Sequence, residues 1–255
     1  MRYQQQILLP EIREKGQELI AASSVLIIGA GGLGNIVASY LAAMGVGSIG
    51  ICDFDIVNVT NLHRQFRFTQ SDVGKKKSEV LCSKLIAQNP EIRIQNFDTE
   101  INEHNAESIF RNYNIICDCT DNAATRMLID QQCNANNIPL VHGAVTDWQG
   151  YVSIFHYHKN YKLTDLFEIS EYNNQLTCSV IGINPALCGI LGSYMVNETL
   201  KIVLGMDEVL EGKLLYINAL NYKHRILNIK SHSETNYDSS DCSNDKTDTI
   251  QRKLW

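Results

Sequence analysis

The chain has 255 residues and a formal net charge of −6, from 22 Lys and Arg against 28 Asp and Glu. That length accommodates one large α/β domain with a substantial core. The acidic balance argues against broad nucleic-acid binding, though it leaves room for a local phosphate site. The longest apolar stretch, Pro185 to Leu204, is interrupted by Asn197, Glu198 and Lys201, so no membrane partner is expected. The N-terminus, MRYQQQILLPEIREKG, reaches charged residues too soon for a secretory signal. Of the eight cysteines, Cys52, Cys117, Cys119, Cys133 and Cys188 fall inside apolar runs. Buried thiols of that kind suit a reducing compartment, which points to the cytoplasm.

In chain order, Glu11 to Ala22 reads as an amphipathic helix and Ser24 to Ile28 as a short buried strand. The GAGGLG run from Gly29 to Gly34 opens a helix that extends to about Met44. Ser48 to Cys52 is the next strand, Lys75 to Gln88 a helix, Ile92 to Phe97 a strand, and Ala106 to Arg111 a helix. Ile115 to Cys119 gives an apolar strand, Asn122 to about Asn136 a helix, and Pro139 to His142 a strand again. This β-α-β alternation predicts a Rossmann-like, mostly parallel sheet with helices on both faces. After Gly150 the pattern changes. Tyr151 to Tyr157 alternates as a strand, Tyr161 to Thr177 is polar and loop-like, and Asn184 to Leu204 is a long apolar helix. Lys213 to Ile217 and Arg225 to Ile229 complete the set as C-terminal antiparallel strands. From Lys230 the composition falls to Ser, Asn, Asp, Thr and Lys, too polar to offset chain entropy. The expected organisation is one domain over residues 1–229 and a disordered polar tail over 230–255.

Glycines after a strand let backbone amides approach phosphates, and a helix N-terminus adds a favourable dipole. Gly29, Gly31, Gly32 and Gly34 therefore make a candidate nucleotide turn, and Asp53, after the next strand, is placed to bind ribose hydroxyls. These features alone fit ATP, NAD, FAD or S-adenosylmethionine, and a tight turn without a ligand is the plain alternative. The later motifs are sharper: Asp53-Phe-Asp55, then Asn61-Leu-His-Arg64-Gln65, then the VGKKK run ending at Lys77, then Asp118-Cys-Thr-Asp121-Asn122. Attack on the α-phosphate of ATP shifts negative charge onto the leaving pyrophosphate. Preorganised cations and a metal ion lower that barrier. Asp121, at a strand's C-terminal edge, is a candidate Mg²⁺ ligand.

With these motifs in this order, the sequence resembles the ThiF/MoeB/HesA family, bacterial relatives of ubiquitin-activating enzymes. The similarity runs from Arg2-Tyr3 to about Gly205 and includes Arg126 and the segment LTCSVIGINPALCGILGSYMVNETLKIVLG. The resemblance implies nucleotide contacts from Gly32 and from Asp53 on the ribose. It implies phosphate contacts from Asn61, Arg64 and Lys77, and Mg²⁺ coordination by Asp121 with Asn122 beside it. It also implies a homodimer that adenylylates the terminal carboxylate of a small ubiquitin-like carrier protein ending in Gly-Gly. Cys178 aligns with a cysteine that in some relatives bonds covalently to the activated carrier. A packing role dispensable for adenylylation remains the alternative for it.

Three departures stand out. Gln5 occupies a position that commonly carries Arg in relatives, with Arg2 or Arg13 as candidate substitutes. Neither of the two Cys-x-x-Cys pairs that hold a structural zinc in many relatives is present, so no zinc is expected. The polar tail extends past the usual end of the family. Two further readings of the same family are adenylylation of a short peptide and a non-catalytic carrier-binding protein. An NAD-dependent oxidoreductase is the reading from a different class, and the Arg64, Lys77 and Asp121 cluster speaks against it.

Overall fold

The computed structural model describes residues 2–159, 161–166 and 182–230. The helices are α1 (Gln4–Ile7), α2 (Arg13–Ala22), α3 (Gly32–Met44), α4 (Lys77–Gln88), α5 (Ala106–Phe110), α6 (Ala123–Asn136) and α7 (Pro185–Val203). The strands are β1 (Ser24–Ile28), β2 (Ser48–Cys52), β3 (Arg93–Phe97), β4 (Ile115–Asp118), β5 (Leu140–Thr146), β6 (Gln149–Phe155), β7 (Lys213–Asn218) and β8 (Lys223–Asn228). They form one eight-stranded sheet in the order β3-β2-β1-β4-β5-β6-β7-β8. The first five of these strands are mutually parallel, and β6, β7 and β8 continue antiparallel.

The period-two alternation of strand side chains divides the core into two layers. Val25 and Ile27 of β1, Cys117 of β4, Val141 of β5 and Val152 of β6 face one cluster, which includes Val37 and Leu41 of α3 and Leu191 and Met195 of α7. Leu26 and Ile28, Ile116, Leu140 and Tyr151 face the other, with Phe110 of α5 and Ile129 and Cys133 of α6. The helices after β1 and β4 thus leave the sheet on opposite sides, although those strands are neighbours. That divergence opens a crevice at their C-terminal ends.

Most expected elements are present within a residue or two, and three features differ. Gln4–Ile7 forms a short helix in a segment where the sequence marks no element. The strand expected over Pro139 to His142 continues to Thr146, because β5 pairs along its whole length with β6 in a hairpin. The stretch from Tyr161, read as a polar loop, includes Leu163 and Leu166, both buried against the α6 layer on a 3-10 turn at Leu163–Asp165. Its later part, Cys178 and the residues 231–255 of the tail lie outside the described residues.

Helix α7 packs within its own chain, crossing α3 at Gly192. A Cβ added there would lie 2.7 Å from Cβ of Ile36 and 2.8 Å from its Cγ2. Ile36 is β-branched on a helix and has one favoured rotamer, so it cannot move aside. Gly192→Val is expected to destabilise the protein by about 1–3 kcal/mol through overpacking. A urea unfolding midpoint unchanged from the parent would contradict this crossing.

Candidate nucleotide site

The crevice between the ends of β1 and β4 holds a cavity of about 350 Å³. Its lining includes Gly29, Gly31, Gly32, Asp53, Asp55, Asn61, Arg64, Gln65, Lys77, Asp121 and Asn122. Five separate stretches of sequence therefore meet around one space.

The glycine turn forms the floor, and its members have different tasks. Gly29 has φ +92°, and a Cβ on it would lie 2.8 Å from the Cys119 carbonyl oxygen. A Cβ on Gly34 would lie 1.9 Å from the Gly29 carbonyl oxygen. Both glycines are thus required by backbone packing, and Gly34 does not line the cavity. At Gly31 a Cβ would meet only Gln65 Nε2, at 3.9 Å, so that backbone is open to the cavity. Asn35 locks the turn: its Nδ2 donates to the Ala30 carbonyl at 2.8 Å, and its Oδ1 accepts from the Arg67 N–H at 3.0 Å.

Asp53 follows β2. Its Oδ2 accepts from the Ala30 N–H at 2.6 Å and its Oδ1 from the Asp55 N–H at 2.8 Å. Burial raises its carboxyl above the usual range, against the opposing pull of Lys77 and these two amides. Lys77, at the start of α4, is buried and pairs with Oδ2 of the half-exposed Asp55 at 2.8 Å. Arg64 lies over Gly32, with its Cδ 3.7 Å from where a Cβ would be. Its guanidinium donates to the Thr60 carbonyl at 3.2 Å and lies 2.8 Å from His63 Nε2, and no carboxylate pairs with it among the described residues. Asn61 accepts from the Asn58 N–H through Oδ1 at 2.9 Å, which fixes the turn that presents Arg64. Gln65 is buried, and among the described residues its Oε1 has no hydrogen-bond partner. A buried acceptor without a partner is costly and rare.

On the opposite wall, Asp121 and Asn122 follow β4. Asn122 caps α6, its Oδ1 accepting from the Thr125 N–H at 3.0 Å. The preceding Asp118 is wholly buried. Its Oδ1 accepts from the Thr120 N–H at 2.9 Å and the Thr120 hydroxyl at 2.7 Å, and its Oδ2 meets His142 Nδ1 at 2.7 Å. Burial alone would raise the Asp118 carboxyl, but the His142 bond, the nearby Arg126 and the Thr120 bond hold it below the usual range. Burial lowers the His142 imidazole.

Sequence reasoning missed several lining residues. Thr99, Glu100 and Ile101, in the connection after β3, face the cavity without a motif that marks them. Cys188, read as core, also reaches it from α7. Arg2 and Arg13 do not line the cavity; Arg2 donates to the Gln88 carbonyl at 3.1 Å and lies 3.8 Å from Glu91. Among the described residues no cluster of three His, Cys, Asp or Glu is arranged to hold a metal ion. A single carboxylate such as Asp121 remains suited to Mg²⁺ carried in with phosphates, because that ion keeps several waters and needs few protein ligands.

A cavity of this size, lined by the open backbone of Gly31 and by the cations Arg64 and Lys77, suits a phosphate-bearing ligand. The chain thus has a Rossmann-type sheet whose cleft gathers the cations Arg64 and Lys77 with the carboxylates of Asp53, Asp55, Glu100 and Asp121. The match to the ThiF family model over residues 3–244 is specific. The chain belongs to the ThiF family.

Among curated relatives it is 40% identical over 221 residues to a "Probable molybdopterin-synthase adenylyltransferase" of Porphyra purpurea, covering 86% of this chain and 58% of the relative. It is 38% identical to "Adenylyltransferase and sulfurtransferase MOCS3" of Caenorhabditis briggsae, covering 90% and 58%. It is 36% identical to the "Sulfur carrier protein adenylyltransferase" of Thermus thermophilus, covering 90% and 87%. The chain spans under two thirds of the length of the first two of these relatives. Among solved structures, E. coli MccB with succinimide has a TM-score of 0.77 at 21% identity, covering 90% of this chain and 72% of that one. That likeness concerns the fold.

A Cβ on Gly32 would lie 2.8 Å from Cys188 Sγ and 3.3 Å from its Cβ. Gly32→Ala is expected to weaken nucleotide binding and to destabilise the fold by about 1–3 kcal/mol. Adding Cys188→Ala should restore most of that stability. Calorimetric titration and thermal unfolding of the single and double variants check this, and a double variant no better than Gly32→Ala would contradict the contact.

Proposed function

We propose that this chain adenylylates the C-terminal glycine carboxylate of a small ubiquitin-like sulfur-carrier protein, using ATP and Mg²⁺ and releasing pyrophosphate. The observation that supports the reading most is the convergence of the glycine turn, Arg64, Lys77 and Asp121 on one cavity. The relatives named as sulfur-carrier and molybdopterin-synthase adenylyltransferases are 36–40% identical, against 21% for MccB with succinimide. The names of the 36–40% identical relatives support a carrier protein as the substrate.

In this reaction a carboxylate oxygen of the carrier attacks the α-phosphorus of ATP. A new oxygen–phosphorus bond forms, the bond from the α-phosphorus to the bridging oxygen breaks, and the electron pair leaves with pyrophosphate. The carboxylate is already ionised at neutral pH, so the enzyme needs no general base. The protein's contribution is alignment and charge. The open backbone at Gly31, the Gly32 amide and the N-terminus of α3 receive the phosphates. Asp53 binds the ribose. Arg64 and the side-chain amide N–H groups of Asn61 and Gln65 donate to phosphate oxygens, and Lys77 exchanges its Asp55 partner for them. Asp121 would hold Mg²⁺, which would supply neutralisation of the phosphate charge when bound.

On the same reading the active form is a homodimer in the cytoplasm. Exposed Leu8, Leu9, Tyr40, Ile190 and Tyr194 offer apolar surface for a subunit contact, and the described cysteines are free thiols. No helix of the described residues is long and apolar enough to cross a membrane. The adenylation unit is residues 1–229, with 230–255 an appended tail.

The test is carrier-dependent ATP–pyrophosphate exchange, run with Gly-Gly-ending proteins of the same genome. Exchange should require a carrier, and Asp121→Ala and Lys77→Ala should each lower it by at least about 100-fold, the scale expected for a lost charge-stabilising group. Mg-ATP binding without exchange for any carrier would overturn the assignment.

A further inference from the structure

Asp118, His142 and Tyr151 form a buried polar chain that the proposed chemistry does not use. They lie on adjacent strands β4, β5 and β6, on the face of the sheet that α6 covers. Asp118 and His142 are fully buried, and Tyr151 is nearly so. His142 Nδ1 lies 2.7 Å from Asp118 Oδ2, and Nε2 lies 3.2 Å from the Tyr151 hydroxyl. A buried carboxylate is costly unless fully paired, and an apolar side chain would fill the same layer with less penalty. The arrangement therefore calls for a reason beyond packing.

The reason lies at the other oxygen. Asp118 Oδ1 takes both the N–H and the hydroxyl of Thr120, while Arg126 of α6 donates Nε and Nη2 to the Thr120 carbonyl at 3.2 and 2.6 Å. Thr120 is thus gripped at its N–H, its side chain and its carbonyl. Fixing that carbonyl fixes the plane of the Thr120–Asp121 peptide, and with it the direction in which Asp121 leaves the backbone. His142 completes the grip. With Oδ2 bonded to the imidazole, the Asp118 carboxylate cannot rotate away from Thr120. Without that bond, one buried oxygen loses its partner and the carboxylate turns to seek another.

We propose that His142 is a positioning residue for the Asp121 carboxylate, acting through Asp118 and Thr120 to set the affinity of the divalent-cation site. The proposal rests on the assignment of Mg²⁺ to Asp121 made above. Outer partners that orient a metal ligand commonly change metal affinity 10- to 100-fold when removed.

The experiment measures Mn²⁺ binding by electron paramagnetic resonance in the presence of a non-hydrolysable ATP analogue. It is paired with calorimetric binding of the same analogue without metal. His142→Phe, which fills the space without a donor, should raise the half-saturating Mn²⁺ concentration about tenfold. It should leave metal-free nucleotide affinity unchanged, a separation that general loosening of the core would not produce. His142→Asn retains a donor towards Asp118 and should stay within about threefold of the parent, as expected if the Asp118 bond is what matters. Thr120→Val, which removes only the hydroxyl from the grip, should shift Mn²⁺ binding in the same direction as His142→Phe. Asp121→Ala is the control for the underlying assignment. If it leaves Mn²⁺ binding unaltered, Asp121 does not hold the cation and both ideas fall. If it weakens Mn²⁺ binding while His142→Phe does not, the assignment stands and the positioning role is overturned. If His142→Phe fails to unfold cooperatively, Thr120→Val decides, and unchanged Mn²⁺ binding in that variant overturns the proposal.

Discussion

The structure depends on one close approach of backbone to backbone, where the chain leaving β1 passes the chain leaving β4. Gly29, at φ +92°, lies under the Cys119 carbonyl, and Gly34 closes the first turn of α3 against the Gly29 carbonyl. A side chain at Gly29 would push the two connections apart, and one at Gly34 would push the first turn of α3 off the Gly29 carbonyl. Because neither has one, β1 and β4 stay paired to their ends, from Val25 opposite Ile115 to Ile28 opposite Asp118. Their helices then leave on opposite faces. The cavity is the space that this divergence leaves, and it inherits the amino end of α3 and, across the crevice, of α6. Geometry that anchors the sheet thereby supplies the anion-friendly floor of the site.

Around that floor the charges are held apart from water to differing degrees, and Lys77 and Asp55 are paired. Lys77 is buried, whereas its partner Asp55 is half exposed. The cation is therefore fixed while the acid can give way to a phosphate without leaving a buried charge alone. Arg64 is held by a backbone carbonyl, which leaves its charge available to an anionic ligand. Asp53 spends both oxygens on amides that shape the glycine turn and the DFD segment. It thus shapes the turn as well as lining the site. The buried thiols are inert by comparison: burial pushes Cys52 and Cys117 up to about 12, so they remain protonated and act as core residues.

The α/β alternation was legible because β1, β2, β4 and β5 are short apolar runs separated by stretches of helical length, and two of the helices carry a capping side chain. Asn122 and Asn184 cap the helices they precede. The motif residues were legible because charged groups at fixed spacings after strand ends have few other reasons to recur in that order. Other features could not be read. Thr99 to Ile101 reach the cavity only because β3 pairs beside β2, a fact of sheet order. His142 looks like an ordinary strand residue until β4 and β5 are set in register, Asp118 against His142. Leu163 and Leu166 look like loop residues because their burial depends on α6 and not on local periodicity. Gly34 belongs to the glycine motif by sequence, yet its task is packing. A motif's spacing does not separate the glycine that meets a ligand from the one that meets its own backbone.

The central claim is that the crevice between the β1 and β4 connections is the nucleotide site. Hydrogen–deuterium exchange with and without Mg-ATP tests it directly. Protection should appear at the amides of Gly31 to Leu33, Asn61 to Gln65 and Thr120 to Asn122, with β7 and β8 unchanged. Protection confined to other segments, or no change at the glycine turn under saturating nucleotide, would contradict the account.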